Sequence, residues 1–284
     1  MARLVAVHGI AQQSKGSEVL RQEWSAPMRD GLRQAGAQLA DDELAFAFYG
    51  GLFRGAEYIR SGGDQRAPLD ESGFDEELWA QMWRSAAESQ PGRVFSPDDT
   101  VRGTPAAVQA ALNALSRLPF FAGVAMDLAR GNLTQVRRYM REPAIRLAAQ
   151  ESVNAVVTSQ TQVLVAHSLG SVVAYEALHR YAAEPHWAHI TTLVTLGSPL
   201  GIRQLIFDAL DPAPSDGQGR WPVLLQRWIN ISDDGDVVAL EKKLASRFGD
   251  RVVDIRIDNG ATAHDIAPYL TAAATGKAIA SGLR

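Results

Sequence analysis

The sequence contains no cysteine, so the chain can form neither disulfide bonds nor thiolate metal sites. Its six histidines lack the spacing of a metal-binding pair such as His-Glu-X-X-His, and it has no glycine-rich phosphate loop. A basic stripe that could neutralise phosphates is missing too, and the formal net charge is −4. We therefore expect no cofactor, no metal and no nucleic-acid partner.

Long hydrophobic runs are also absent. No segment reaches the ~20 apolar residues that are needed to span a bilayer, and the apolar run after Arg3 is far shorter than the core of a signal peptide. These absences predict a chain without a transmembrane segment and with a cytoplasmic location. The composition, 46% hydrophobic over 284 residues, is sufficient for one full core with an insertion.

Strand-like and helix-like segments alternate along most of the chain, which is typical of a parallel sheet with helices on both faces. The segment 190–196 is a nearly unbroken run of β-branched residues and leucine, as in a strand that is buried on both faces. A first helix is expected from near Ser25 to Gly36, with Pro27 in its first turn, and another over 143–158. Strands are expected at residues 4–7, 44–49, 162–166, 190–196, 226–231 and 252–257.

The alternation breaks between residues 52 and 132, a stretch that is too long for a connection inside a compact α/β domain. Thr104 and Pro105 suit the start of a helix, and an apolar stretch follows at 120–126. We therefore expect residues 1–51 and 133–284 to form the core and residues 52–132 to form a helical cap. The cap either acts as a lid that binds an acyl chain or simply packs on the core.

The most informative segment is 162–170, which is a short apolar run that ends in Ser168 and continues into a helix-like pattern at 171–181. A tight strand-to-helix turn requires small residues two positions either side of the serine, and they are Gly170 and Ala166, the second a tolerable departure from the ideal glycine. The N-terminus of the following helix favours negative charge at this turn. Ser168 is therefore the candidate nucleophile, and His167 is expected in the turn with its side chain pointing away from the site.

This turn resembles the nucleophile elbow of the α/β-hydrolase family, of the lipase and esterase kind. The resemblance implies an α/β-hydrolase fold with a mostly parallel central sheet of about six strands, helices on both faces and a helical cap insertion. It also implies that an acid and then a histidine follow Ser168 along the chain, each on a loop after a strand.

Matching positions for the acid and the histidine lie downstream. By the resemblance, the acid is Asp236, because it precedes the apolar pair at 237–238, although Asp233 and Asp234 are close competitors. The histidine is His264, which follows the strand at 252–257 and opens a helical segment. The implied catalytic set is therefore Ser168, Asp236 and His264.

The resemblance also implies two backbone N–H donors for the oxyanion that acyl transfer develops. One is the N–H of Leu169, which follows the nucleophile. The other is the N–H of Ile10, because the first strand ends in the pair His8-Gly9, in which Gly9 allows a sharp turn and His8 is a structural residue of the loop. A competing serine, Ser198, precedes a proline that forbids a following helix, and we expect it in a loop beside the site.

These features predict a serine hydrolase that cleaves small-molecule carboxylic esters through an acyl-enzyme on Ser168. A thioesterase or acyltransferase of a biosynthetic pathway is the alternative, and it would need an acyl-carrier partner, for which Arg137, Arg138 and Arg141 could form a basic rim. A binding protein that kept the fold without catalysis is a third possibility.

Overall fold

A computed structural model describes residues 1–54, 80, 126–236 and 238–283. Its centre is one sheet of six strands, all parallel, in the order β2-β1-β3-β4-β5-β6. The six predicted strands are confirmed, with ends that differ by at most two residues, and so is the α/β class. The strands are β1 (Leu4–Val7), β2 (Leu44–Ala47), β3 (Val163–His167), β4 (Thr192–Leu196), β5 (Arg227–Asp233) and β6 (Val252–Ile257).

Helices cover both faces of this sheet. On one face, α1, α6 and α7 pack against side chains such as Leu4 and Ala6, and on the other face α2, α3 and α4 pack against Val5 and Val7. Every residue of β1, β3 and β4 is buried, as expected for parallel strands that are covered on both sides. The helices are α1 (Ser17–Gln34), α2 (Met126–Arg141), α3 (Pro143–Asn154), α4 (Leu169–Arg180), α5 (Ala245–Phe248), α6 (Ile266–Thr271) and α7 (Ala273–Gly282).

Helix α1 differs from its prediction, because it begins at Ser17 and not near Ser25. Pro27 lies inside the helix, where it removes one backbone hydrogen bond and costs about 3 kcal/mol. Four apolar side chains at intervals of four residues are buried on this helix, and each contributes about 1.5–3 kcal/mol. Their burial outweighs the proline, so the helix continues through it. These residues are Leu20, Trp24, Met28 and Leu32.

Helices α1 and α7 touch through their backbones. A Cβ atom added at Gly276 would overlap the carbonyl oxygen of Gly31, and one added at Gly31 would overlap the carbonyl oxygen of Leu270 in α6. Only residues without a side chain allow this approach. It holds the segment that follows His264 against α1.

Most of the predicted cap lies outside the described residues. This includes the helix expected to begin at Thr104 and the apolar stretch that precedes Met126, the first residue of α2. Within the described ranges, no helix combines the length and the hydropathy that crossing a bilayer requires.

The parallel arrangement brings four loops to one edge of the sheet, because the carboxyl ends of parallel strands point the same way. The loops after β1, β3, β5 and β6 carry His8, Ser168, Asp236 and His264 respectively. The predicted site residues are therefore neighbours in space although they span more than 250 positions of the chain.

The contact between α1 and α7 predicts a strong effect of a single methyl group. Gly276→Ala should lower the free energy of unfolding by about 2 kcal/mol or more, because the new Cβ has no room beside the Gly31 carbonyl. Equilibrium urea unfolding measures this difference. The matched control is Gly51→Ala, whose added Cβ would meet only Phe48 at 3.8 Å and which should change stability by less than about 1 kcal/mol. Equal stabilities of the two variants would contradict the contact.

Candidate active site

Ser168 lies on a strained turn between β3 and α4. Its φ and ψ are 52° and −131°. Residues other than glycine rarely adopt this backbone conformation, which costs about 1–3 kcal/mol. The Ser168 N–H donates to the carbonyl oxygen of Leu196 at 3.0 Å, which fastens the turn to the end of β4. The serine is buried at the start of α4, whose first N–H groups have no partner within the helix.

Two glycines permit this turn to approach the end of β1. A Cβ at Gly170 would lie 2.5 Å from the carbonyl oxygen of Val7, so only glycine fits in the first turn of α4. A Cβ at Gly9 would lie 2.7 Å from the Cβ of Ser168. Gly9 does not have a positive φ. Glycine is required at this position because of the close approach to the serine and not because of the backbone conformation.

His264 bridges the other two predicted residues. Its Nε2 lies 3.1 Å from Ser168 Oγ, and its Nδ1 lies 2.7 Å from Asp236 Oδ2. An ionised carboxylate can only accept, so Nδ1 carries the proton and Nε2 is left to accept the serine hydroxyl proton. The three side chains form one continuous chain of hydrogen bonds.

Asp236 is buried and fully hydrogen-bonded. Its Oδ1 accepts the N–H groups of Val238 at 2.9 Å and Ala239 at 3.2 Å, and its Oδ2 accepts from His264 and from the hydroxyl of Tyr269 at 2.9 Å. Burial raises the pKa of this carboxyl, but the charge and hydrogen bond of His264 lower it more, so the net pKa is well below its usual range. Asp236 is therefore a carboxylate at neutral pH.

The two neighbouring aspartates have other partners. Asp233 Oδ1 accepts the Gly235 N–H at 2.6 Å, and its Oδ2 accepts the Asn259 N–H, so this carboxylate braces the loops. Asp234 has a side chain that is 77% exposed and pairs with Arg256. The structure brings Asp236, and neither of the other two, against His264.

Two further residues support Asp236, and local sequence did not reveal them. Tyr269 donates its hydroxyl hydrogen to Asp236 Oδ2 and accepts the Asp233 N–H at 2.9 Å, so it joins α6 to the loop after β5. Lys242 donates to the backbone carbonyl of Asp236, and burial lowers the pKa of its ammonium group. Tyr269 lies 33 positions from Asp236, and no motif links the two.

His167 supports the loop that carries His264. Its Nε2 donates to the carbonyl oxygen of His264 at 2.9 Å, and the two rings lie 4.7 Å apart between centroids. Burial, followed by the nearby charge of His264, lowers the pKa of His167 to about 3, so its ring is neutral. The side chain points away from Ser168 Oγ, as expected, but it holds the residue that contacts that oxygen.

His8 anchors the loop of residues 8–13, here named the β1 loop. Its Nδ1 donates to the Gly9 carbonyl oxygen at 2.6 Å, its Nε2 accepts the Tyr49 N–H at 3.1 Å, and its ring stacks on that of Tyr49 at 4.1 Å. Burial lowers the pKa of His8 to about 4. Both ring nitrogens are occupied, which makes His8 a structural residue of the loop.

A cavity opens in front of Ser168 and measures about 360 Å³ with the open solvent included. Ile10 and Leu169 line it beside the serine, and neither N–H donates to any partner among the described residues. Ser198 accepts the Leu200 N–H at 3.3 Å, in the loop whose Pro199 forms part of the cavity wall. Apart from Ser168 the lining is apolar: Ile10, Leu133, Val136, Leu169, Pro199, Ile202, Ile206 and Val238.

Comparisons of the chain with protein-family models, with curated proteins and with solved structures found no match. Within the part of the chain that the structure describes, no group of three or more histidine, aspartate or glutamate side chains could hold a metal ion. The geometry of Ser168, His264 and Asp236 is therefore the basis on which a function can be assigned.

The buried, neutral state of His8 predicts a stability that depends on pH. Its pKa is about 4 in the folded chain against an ordinary value of 6.5 for histidine. Its contribution to the free energy of unfolding is therefore complete above pH 6.5 and is lost as the pH falls towards 4. Between pH 7 and pH 4.5 this loss amounts to about 2–3 kcal/mol. His8→Asn should therefore show a smaller drop in unfolding free energy over this interval than the wild type, as measured by urea unfolding at both pH values.

The matched control for this measurement is His189→Asn, because His189 lies exposed on the surface. Its drop should equal that of the wild type. A His8→Asn variant with the full wild-type drop would mean that His8 is not buried in the neutral form.

Proposed function

We propose that this protein is a serine hydrolase of the α/β-hydrolase fold that cleaves carboxylic esters. One observation carries the proposal, namely the hydrogen-bonded series from Ser168 Oγ through His264 to Asp236 on three neighbouring loops. A nucleophile, a base within hydrogen-bond reach and a third group that orients the base are the parts that covalent catalysis by a serine requires. The parallel six-stranded sheet that carries these loops supports the fold assignment.

Acylation begins when His264 Nε2 accepts the proton of Ser168 Oγ as this oxygen attacks the ester carbonyl carbon. The carbonyl oxygen becomes an oxyanion, and the N–H groups of Ile10 and Leu169 stabilise it. Both residues line the cavity beside Ser168, and neither N–H has another acceptor within the described residues. A donor of this kind is typically worth about 3–4 kcal/mol in the transition state.

Asp236 holds His264 in the tautomer with its proton on Nδ1 and stabilises the imidazolium that forms. Its lowered pKa supports this role, because the group remains an anion throughout the reaction. His264 then donates the proton from Nε2 to the departing alkoxide oxygen, which leaves as an alcohol and completes the acyl-enzyme. In the second half, His264 takes a proton from water, the hydroxide attacks the acyl carbon, and the proton returns to Ser168 Oγ as the acid leaves.

The apolar lining of the cavity supports an acyl group that is itself apolar. No charged side chain lines this cavity. Residues 52–132 would add a helical cap over the core, and the cavity wall formed by Leu133 and Val136 of α2 follows directly after that segment.

Ser168→Ala should lower kcat by at least ~10³-fold on a series of nitrophenyl esters from acetyl to palmitoyl, because it removes the nucleophile. Asp236→Asn should be nearly as damaging, since it removes the charge that fixes the tautomer. Asp234→Asn is the matched control, because Asp234 is exposed and pairs with Arg256, and it should retain wild-type turnover. More than a tenth of the activity in Ser168→Ala would exclude the proposal.

The acyl assignment of the cavity predicts a shift in chain-length preference. Ile206→Phe places a larger side chain in the lining, so kcat/KM should fall about tenfold or more for the acyl lengths that no longer fit, with the acetyl ester unaffected. The exposed residue Val223 gives the control Val223→Phe, which should keep the wild-type profile. A uniform change at every chain length would show that the acyl group does not enter this cavity.

A further inference from the structure

The β1 loop carries the Ile10 N–H, and its conformation is under strain. Ala11 has a φ of 64°, in the left-handed region that costs alanine about 1–2 kcal/mol. A short loop with such a residue relaxes unless other groups hold it. The Ile10 N–H itself belongs to the Gly9–Ile10 peptide, whose carbonyl oxygen accepts from His8 Nδ1 at 2.6 Å. The Ile10–Ala11 peptide adjoins it on the other side of Ile10, so a shift of this second peptide would displace Ile10 and its N–H.

Both polar groups of the Ile10–Ala11 peptide are held by side-chain amides. The Ile10 carbonyl oxygen accepts from Gln12 Nε2 at 3.1 Å, and the Ala11 N–H donates to Gln135 Oε1 at 3.2 Å. Gln12 belongs to the same loop and moves with it. Gln135 belongs to α2 and lies 124 positions away, so it is the group that fixes this peptide to the rest of the fold.

Gln135 makes a second contact with the same loop. Its Nε2 donates to Gln13 Oε1 at 2.9 Å, so one amide bridges two points of the loop, and its side chain is only 5% exposed. A buried amide whose oxygen and nitrogen are both bonded has a single low-energy orientation. It is therefore suited to hold a peptide plane in place.

Helix α2 is in turn fixed to α4, the helix that follows Ser168. The hydroxyl of Tyr139 on α2 donates to Glu176 on α4 at 2.6 Å, and Gln150 and Arg146 of α3 donate to the same carboxylate at 2.9 and 2.8 Å. Contacts therefore run from α4 through α2 to the β1 loop. The two proposed oxyanion donors, Leu169 at the start of α4 and Ile10, are held relative to each other by this route.

We propose that Gln135 is a positioning residue that fixes the Ile10–Ala11 peptide and so keeps Ile10 where its N–H faces the oxyanion. This inference rests on the proposed function. Gln135 touches neither the substrate nor Ser168 but acts through the Ile10–Ala11 peptide. Its neighbours on α2, Leu133 and Val136, line the cavity, so one helix both forms a wall of the acyl pocket and sets the geometry of the oxyanion site.

The test is Gln135→Met, which keeps the length of the side chain and removes both hydrogen bonds. A misdirected donor weakens binding of the transition state and leaves the ground state unaffected. We expect kcat on the best nitrophenyl ester to fall about tenfold or more with KM within about twofold of wild type. The inhibition constant of an alkyl trifluoromethyl ketone, which forms an oxyanion on the serine, should rise by a similar factor.

Gln13→Ala is the matched control, because it removes one bond of Gln135 and leaves the bond to the Ala11 N–H. Its kcat should remain within about threefold of wild type. Circular dichroism and thermal unfolding establish that each variant is folded at the assay temperature.

The outcomes separate the two proposals. If Ser168→Ala abolishes turnover but Gln135→Met retains the wild-type kcat and ketone affinity, the positioning role is wrong and the hydrolase assignment stands. A loss confined to KM, or an equal loss in Gln13→Ala, would also overturn the positioning role. Absence of Ser168-dependent turnover in the wild type would overturn both.

Discussion

The contact on which this site depends is the approach of the first turn of α4 to the end of β1. Gly170 faces the backbone of Val7 and His8, and Gly9 faces Ser168, at separations that leave no room for a methyl group. The approach fixes the strained dihedral angles of Ser168 and brings the β1 loop beside the serine. A larger residue at either glycine would separate the hydroxyl from the two N–H groups that the proposed mechanism assigns to the oxyanion.

Around this contact, the loops at the carboxyl edge of the sheet brace one another through buried polar groups. Tyr269 ties α6 to Asp233 and Asp236, and His167 holds the backbone of His264. Gly197, with a φ of 54°, follows β4, and a Cβ there would lie 2.7 Å from Asp236 Oδ2. Both carboxylate oxygens of Asp236 have donors, so hydrogen bonds offset part of the desolvation cost of the buried charge.

Local pattern was sufficient to predict the six strands. Strands β1 and β6 were predicted to the residue, and β3 with its serine turn to within one, because β1 and β3 are short apolar runs bounded by turn residues and β6 alternates between apolar and polar residues. The start of α1 was wrong because a local rule about proline was outweighed by burial of Leu20 and Trp24, which only the tertiary fold decides.

The residues of the site also fall into those that the sequence predicts and those that only the tertiary fold identifies. The order of Ser168, Asp236 and His264 along the chain made them candidates, but three aspartates within four positions could not be separated until Asn259 and Arg256 were found to engage Asp233 and Asp234. Supporting residues such as Tyr269 and Gln135 could not be predicted at all. Tyr269 lies 33 positions from Asp236, and Gln135 lies 124 positions from Ala11. A tyrosine or glutamine on a helix carries no local sequence signal that identifies such a distant partner.

The dihedral angle at position 168 has a consequence for evolution. A residue that is branched at Cβ is a severe outlier at a φ of 52°, so threonine is disfavoured there on backbone grounds alone, before its hydroxyl is considered. Serine and cysteine, which are unbranched, are the side chains with a nucleophilic atom on Cβ that this turn accepts. The shape of the backbone thus limits an exchange of the proposed nucleophile to the step from an alcohol to a thiol.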